Sequence, residues 1–472
     1  MAQARSAVSP QPARVQVIAP ARIGETALAA LRVRGIDARI ATGPDDVADD
    51  ALAWALEGSP TGGAALELAA TCARAAAAGR PVCLLAPVPR GSGRAAIERA
   101  AALAYVRAHG AALAHDVDAW LEAIVALVKL GVPRGPRSAV IAPPGSWLEA
   151  QTQALIAEAE AAGARPIVLG RGKADEPTDA VLFDPALGPP PGQLAGLAVP
   201  VIARGELAEG AIALYGARAA LAAIDVLGRA AERAAIGLGP APRDAAAELE
   251  IDRERLARQL AKLPGAMRVG DHETKILLAA YGVPITRQAV AVTPSAAVKK
   301  ARLVKYPVEL KPWGHDLPTE PAGCPIERGV TSDALVRRAF AAVLAAAGRL
   351  PSKTEAGAVI VREAPPLGRD VAASIVKLPA LGWTVVLDAP GGIAAAPAPL
   401  RLIDAQALAA AFASTRAGDA EPDRAGLANV LRRASHLAVD LGDRLRALEL
   451  PRVVVGGRGA RSLVVDAWCE LA

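Results

Sequence analysis

The sequence predicts an α/β protein in which two doubly wound sheets are followed by a third domain of α+β type. Up to about residue 233, short apolar strands alternate with Gly or Pro turns and long helices, which is typical of parallel strands joined by crossover helices. After residue 264, several strands follow one another without intervening helices. At 472 residues, the chain is too long for a single hydrophobic core, and two to four domains are expected.

The first doubly wound domain is predicted at residues 14–131. Its strands include "RVQVIAP", "ALAWALEG" and "RPVCLLAPV", and helices are expected from Glu25 to Arg34, after Gly62, and from Arg94 to Arg107. Residues 1–13 contain no apolar run, so we expect them to form a flexible tail and not a signal peptide.

A second domain of the same kind is predicted at residues 132–233. It begins with "RSAVIAPPGSW", in which Ser146 is placed to cap a helix from Trp147 to Ala162. Further strands are expected at "RPIVLG", "DAVLFDP", "VPVIARG" and "AIALYG". Residues 234–264, which contain a charged helix, predict a linker.

The third domain is predicted at residues 265–472. It opens with a helix, a turn and a strand in "HETKILLAAYGVPITRQAVAV", and Thr293 with Pro294 marks the start of the next helix. The segments "AGAVIVREA", "DVAASIVKL" and "GWTVVLDA" predict consecutive strands, and a hairpin is expected around Gly456-Gly457.

Composition excludes several classes of protein. The net charge of +5 comes from interspersed charges with no basic run, which argues against a nucleic-acid partner. The longest uncharged stretch, "PALGPPPGQLAGLAVPVIA", contains prolines and glycines that would break a membrane helix. Four cysteines without a CxxC pair, Cys72, Cys83, Cys324 and Cys469, indicate reduced thiols in a cytoplasmic protein.

An ordered series of motifs carries a family resemblance. The strings "HETKILLAAYGVPITRQ", "TPSAAVKKARLVKYPVELK", "VIVREAPPLGRDV", "DAPGGI", "APLRLIDAQAL" and "LELPRVVV" are similar, in this order, to the ATP-grasp domain of the NDP-forming acyl-CoA synthetases, relatives of succinyl-CoA synthetase. The preceding half resembles the two succinyl-CoA-ligase flavodoxin-like domains of that family. Family members begin with a CoA-binding Rossmann domain; its glycine-rich turn does not precede Val15, so this domain is expected to be missing.

The resemblance implies a site for ATP and Mg²⁺. It assigns phosphate contact to Lys311, at the end of the strand in "YPVELKPWGHD", and nucleotide contacts to Glu363 and Asp370. It assigns magnesium binding to Glu449 and Asp466. The alternatives are a solvated lysine at a strand end, surface acids at Glu363 and Asp370, and structural carboxylates at the two metal positions.

The histidine chemistry of the family is expected to be lost. The region of the phosphohistidine loop, "GSGRAAIERAAALAYVRAHG", has no histidine before His109. We expect His109 itself to be an ordinary residue at a helix end. A second family histidine aligns with Thr319 to Ile326, where none is present, and the nearby His315 is either a displaced catalytic residue or a turn residue beside Trp313. Pro451 replaces a family asparagine that helps to hold magnesium.

The sequence therefore predicts an acyl-CoA synthetase-like ATP-grasp protein that binds ATP and Mg²⁺ without a phosphohistidine relay, with weak, altered or no ligase activity. If active, it would be an ADP-forming ligase of an acid with CoA or a related acceptor, working as a homo-oligomer or with a separate CoA-binding subunit. The alternative is a catalytically inactive nucleotide-sensing or assembly subunit of an acyl-CoA synthetase complex.

Overall fold

The computed structural model divides the chain into two compact units, residues 1–239 and 240–472. It describes residues 14–43, 50–133, 135, 138–141, 144–161, 180–183, 198–200, 212, 214–263, 265, 267–320, 323–350, 357–389, 392–412, 422–457 and 461–472. None of the helices in these ranges is both long enough and apolar enough to cross a lipid bilayer.

The first unit contains a five-stranded, wholly parallel sheet with the strand order β2-β1-β3-β4-β5. Its strands are β1 (Val15–Ile18), β2 (Ala38–Ile40), β3 (Ala51–Ala55), β4 (Cys83–Leu85) and β5 (Ala112–Ala114). The helices α1 (Ala21–Val33), α2 (Gly62–Ala77) and α3 (Arg94–Ala108) connect strands of this sheet, and α4 (Val117–Leu130) follows β5. The predicted alternation is confirmed, although α1 begins earlier than expected because the Pro20 carbonyl already accepts the first helical bond, from Gly24 N.

A second parallel sheet of the same unit has the order β6-β7-β8 among the described residues. Its strands are β6 (Ser138–Ile141), β7 (Ala180–Phe183) and β8 (Ala198–Pro200), and its helices are α5 (Trp147–Ala161) and α6 (Ala217–Ile236). Ser146 caps α5 as predicted, since its Oγ accepts from Glu149 N at 3.2 Å. The strand predicted at "RPIVLG" lies outside the described residues.

One hydrophobic core serves both sheets of the first unit. Residues from the first sheet and its helices, such as Val17 and Trp120, belong to the same buried cluster as Val140, Leu182 and Ile224. The two sheets are thus parts of one compact unit, and the boundary between two domains at residue 132 stays a prediction.

The second unit begins with the segment predicted as a linker. A 3-10 helix (Arg243–Glu248) and α7 (Arg253–Leu260) lie in this segment, and Asp252 N donates to the carbonyl of Ala280. Ile251, Leu256, Leu260 and Leu263 pack against the main core of the unit. Residues 240–263 are therefore built into the second unit.

A four-stranded antiparallel sheet of the second unit has the order β10-β13-β11-β12. The strands are β10 (Gln288–Ala291), β11 (Val308–Trp313), β12 (Glu327–Val330) and β13 (Ala358–Glu363). One face packs against α9 (Pro294–Val304) and α10 (Asp333–Ala347). The predicted start of α9 is confirmed, because Thr293 Oγ1 accepts from Ala296 N at 3.1 Å and Pro294 is the first helical residue.

A six-stranded antiparallel sheet with the order β16-β15-β14-β17-β18-β9 completes the second unit. The strands are β9 (Arg268–Val269), β14 (Gly368–Leu378), β15 (Gly382–Ala389), β16 (Gly392–Pro397), β17 (Leu445–Gly456) and β18 (Leu463–Leu471). Its core face packs against α8 (Asp271–Ala280), α11 (Leu402–Ala411) and α12 (Arg424–Leu441). The predicted hairpin after Gly456 joins β17 to β18.

Candidate functional site

The candidate site lies between the two sheets of the second unit. Side chains alternate along a strand, so Val308 and Leu310 of β11 enter the core against α9 and α10 while Lys311 points to the other face. There it meets Asp466 of the six-stranded sheet. We call the ten charged side chains joined at this place the charged cluster: Asp271, Lys275, Glu309, Lys311, Glu320, Arg328, Arg362, Asp370, Arg452 and Asp466.

Lys311 is buried and paired with two carboxylates. Its Nζ lies 2.8 Å from Asp466 Oδ1 and 3.3 Å from Asp271 Oδ2, and only 4% of its side chain is exposed. Burial disfavours the ammonium, but Asp271 and Asp466 outweigh burial and raise the pKa of Lys311. The alternative of a solvated lysine at a strand end is therefore wrong.

A second lysine, which sequence reasoning missed, shares the same carboxylate. Lys275 on α8 is fully buried, and its Nζ lies 3.1 Å from Asp271 Oδ1, 3.0 Å from Thr286 Oγ1 and 2.9 Å from Gln288 Oε1. Burial lowers the pKa of Lys275 to about 8. The spacing of four residues between the acid and the lysine in "DHETK" is the sequence signal for this pair.

Asp271 contacts both lysines and also the backbone of β18. Its Oδ1 also accepts from Ala467 N at 3.0 Å. Although burial opposes its charge, Lys275 and then Lys311 lower the pKa of Asp271, so it is a carboxylate over the ordinary pH range. The first residue of α8 therefore connects both sheets.

The other half of the charged cluster is organised by Arg362 of β13, which is fully buried. Its Nε and Nη2 donate to Glu309 Oε2, and its Nη1 donates to the carbonyl of Val465 at 3.0 Å. Its Nη2 also lies 2.5 Å from Glu320 Oε1. Burial disfavours the guanidinium, but Glu320 and Glu309 outweigh it and raise the pKa of Arg362.

Two further arginines reach Glu320 from neighbouring strands. Arg452 Nη1 lies 2.7 Å from Glu320 Oε2, and Arg328 Nη2 lies 3.2 Å from the same oxygen. Arg452 Nε also lies 3.1 Å from Asp370 Oδ2. The charged cluster as a whole thus contains five cationic and five acidic side chains. Burial raises the pKa of the Asp466 carboxyl group, and the Lys311 ammonium opposes this shift.

The remaining predicted site residues also have protein partners. Glu363, at the end of β13, accepts from the backbone N and the Nε of Arg287 at 2.8 and 2.6 Å. Glu449 on β17 accepts from Ser374 Oγ, and burial raises the pKa of its carboxyl group. The structure therefore joins Lys311 directly to Asp466, and the described contacts pair Glu363 and Glu449 elsewhere.

The carboxylates predicted to bind magnesium are engaged by protein groups as they are placed. Mg²⁺ at a nucleotide site takes one or two carboxylates together with phosphate oxygens and waters, but Asp466 Oδ1 faces Lys311 and its Oδ2 accepts from Glu320 N at 2.6 Å. Burial raises the pKa of the Glu449 carboxyl group, whose Oε2 accepts from Ser374 Oγ. Within the described ranges, no group of three His, Cys, Asp or Glu side chains is placed to hold a metal.

The histidines near the predicted motifs have structural contacts. His315 Nδ1 accepts from Gly270 N at 3.1 Å, and its ring packs edge-on to Trp313, which is the arrangement of a turn residue. His109 caps the C-terminus of α3, as predicted, with Nδ1 2.7 Å from the carbonyl of Tyr105. The segment Thr319 to Ile326 contains two residues outside the described ranges.

Comparison with known proteins finds one family model that matches part of the second unit. Residues 261–471 match the model of the ATP-grasp domain family. No curated protein matches the sequence.

Similar solved structures include two complexes of the dinucleotide-forming acetyl-coenzyme A synthetase 1 of Ca. Korarchaeum cryptofilum. The complex with coenzyme A, Ca-AMPCP and HgCl⁺ is 20% identical, covers 47% of this chain and 100% of its own, and has a TM-score of 0.40. The complex with coenzyme A and Mg-AMPPCP has the same identity and coverage and a TM-score of 0.37. PH1788 of Pyrococcus horikoshii is 20% identical over 46% of this chain and 98% of its own, with a TM-score of 0.41.

The match to the family model, together with the ordered motifs, confirms the predicted fold of the carboxy-terminal part. Residues 261–471 carry an ATP-grasp domain.

Proposed function

We propose that the chain is an acyl-CoA synthetase-like ATP-grasp protein that binds adenine nucleotide weakly between the two sheets of its second unit. It has little or no ligase activity. The observation that carries the proposal is the internal charge balance of the charged cluster. A triphosphate needs surplus positive charge in its cleft, whereas Lys311 already has Asp271 and Asp466 as partners.

The ion pairs of Lys311 weaken both nucleotide binding and catalysis. A phosphate oxygen can reach the Lys311 ammonium only by displacing a buried carboxylate, which then has to find another partner or be hydrated. Much of the binding free energy is lost in this exchange, so nucleotide binds weakly. The same exchange leaves little fixed positive charge for the transition state of phosphoryl transfer.

The settings of the histidines support the absence of a phosphohistidine relay. Such a relay needs a neutral imidazole on a mobile segment that reaches two sites. All five histidines of this chain lie in described residues and have structural settings: His109 at the end of α3, His115 beside the carbonyl of Ala86, His272 beside Gln288, His315 at Gly270, and His436 buried on α12.

The second candidate is a catalytically inactive nucleotide-sensing or assembly subunit of an acyl-CoA synthetase complex. The observation that favours it is that the five predicted nucleotide and metal residues all have protein partners. The parallel order β2-β1-β3-β4-β5 of the first unit is that of flavodoxin-like folds and supports the resemblance of the first half. Binding of CoA or an acyl acid, and a separate CoA-binding subunit, belong to the same proposal.

The test is a measurement of ADP release by the full chain. The protein is incubated with Mg-ATP, CoA and a panel of short carboxylic acids, and its thermal unfolding is followed with and without ATP. We expect acid-dependent turnover below about 1 s⁻¹, the low end of ordinary enzymes, with a rise in Tm at millimolar ATP. Fast acid-dependent ADP release would overturn the proposal, and a Lys311→Ala variant with unchanged ATP affinity would show that the nucleotide lies elsewhere.

A further inference from the structure

Three arginines of the charged cluster converge on one carboxylate. Glu320, in the connection between β11 and β12, is only 3% exposed and contacts Arg362 of β13, Arg452 of β17 and Arg328 of β12 at 2.5, 2.7 and 3.2 Å. The guanidinium groups come from three different strands and from both sheets. The strands of the domain therefore position the three cations, whereas Glu320 reaches them from a connecting segment.

The charge around the three arginines is balanced only while Glu320 is counted. Arg362 has a second partner in Glu309, Arg452 has one in Asp370, and Arg328 Nε lies 3.6 Å from Glu309 Oε1. Without the Glu320 carboxylate, the three guanidinium groups would face two carboxylates and leave a surplus of one positive charge. Guanidinium groups present donors in a planar fork that matches the oxygens of carboxylates and phosphates. The arrangement has the chemistry of an anion site that an internal carboxylate fills.

The site is closed on one side and open on the other. The Arg362 side chain is fully buried, the Arg452 side chain is 20% exposed and the Arg328 side chain is 56% exposed. A dissolved anion can therefore approach from the side of Arg328. An ordinary structural ion pair in this protein looks different: Arg34 and Glu122 form a bidentate contact in which both side chains are nearly inaccessible.

We propose that Arg328, Arg362 and Arg452 form a binding site for a phosphoryl group, and that Glu320 is its internal ligand, which the phosphoryl group displaces. The proposal deepens the proposed function and rests on it where the phosphoryl group is taken to be that of a nucleotide. Inorganic tripolyphosphate carries the same chemistry without the nucleoside. Glu320 thus competes with the ligand, and its removal strengthens anion binding.

The test compares Glu320→Ala with the unaltered full chain by isothermal titration calorimetry, with ATP and with sodium tripolyphosphate. We expect Glu320→Ala to lower the Kd of both anions at least about tenfold, because a buried competitor is removed while three arginines remain. Tighter binding of ATP alone would support the site and assign it to nucleotides. The matched control is Glu122→Ala, which removes a buried, paired carboxylate in the first unit and should leave both affinities unchanged.

Unchanged or weaker binding of both anions by Glu320→Ala would overturn the proposal. If that variant does not fold, the stabilisation of the unaltered protein by millimolar tripolyphosphate serves instead. Arg452→Gln should abolish this rise in Tm and Arg452→Lys should keep part of it; a rise that survives Arg452→Gln would overturn the site. ADP release reports separately on the proposed function, because fast turnover contradicts weak catalysis whatever Glu320 does.

Discussion

At the scale of single residues, Lys311 shows how context decides the role of a common side chain. Its position at the end of an apolar strand is compatible with full solvation, yet the ammonium is buried beside two carboxylates. Such a cation is held by its partners, and removing it leaves Asp466 buried without a counter-charge.

The Lys311→Met variant should unfold more easily than the unaltered protein. We expect its free energy of unfolding to fall by roughly 3–5 kcal/mol, the usual cost of removing one partner from a buried ion pair. Urea denaturation followed by circular dichroism measures the change.

Lys377→Met on β14 is the matched control. Lys377 also pairs with a carboxylate, Asp443, but that pair is open to solvent, with side chains 50% and 94% exposed. Its removal should not change the unfolding curve measurably. Equal effects of the two variants would contradict the structural role of Lys311.

At the scale of elements, the residue that precedes α8 determines how closely Asp271 and Lys311 of the charged cluster can approach each other. Gly270 precedes α8, and a Cβ at this position would lie 2.2 Å from the carbonyl oxygen of Gly314. The close approach of the two backbones brings Asp271 at the first turn of α8 to Lys311 of β11. A glycine is required here by space and not by backbone dihedral angles, because its φ is −74°.

Gly270→Ala should therefore push α8 away from the segment that follows β11. We expect a loss of about 1–3 kcal/mol in the free energy of unfolding, as for other overpacked positions. Gly63→Ala near the start of α2 is the control, since its Cβ would meet nothing within 4 Å. That variant should be as stable as the unaltered protein or more stable by up to about 1 kcal/mol, and a similar loss in both would refute the packing argument.

At the scale of the whole molecule, the second unit has hydrophobic cores of its own. Within the part of the chain that the structure describes, the two main buried cores of residues 240–472 contain no residue of the first unit, and the main core of the first unit ends at Ala230. Each unit therefore buries its own apolar surface, which is the main condition for independent folding.

A fragment of residues 240–472 should fold by itself with one cooperative transition. A fragment of residues 265–472 lacks α7 and the aliphatic side chains that pack from residues 251–263, and it should be less stable. We expect a difference of roughly 3–6 kcal/mol, since the four half-buried aliphatics each contribute about half of the 1.5–3 kcal/mol of a fully buried one. Thermal and urea unfolding compare the two fragments, and equal stability would show that residues 240–264 act only as a linker.

The local patterns of the sequence were sufficient for much of the architecture. The alternation of strands and helices, the cap at Ser146 and the Thr293-Pro294 helix start all depend on residues within one or two turns of each other. The series of motifs from His272 to Asp466 likewise predicted the ATP-grasp domain, because the order of elements along the chain is itself written in the sequence.

Which charged residues pair with each other in the candidate site was determined only by the tertiary structure. Lys311 and Asp466 are 155 residues apart in the chain, and Glu320 and Arg452 are 132 apart, so no local pattern predicts that they pair. Burial and strand register bring such groups together, and only then can their charges be counted. The sequence determined that a domain of this fold carries Lys311 on an apolar strand, which the structure extends to Trp313. The packing of the two sheets of the second unit determined that this lysine faces carboxylates of its own chain.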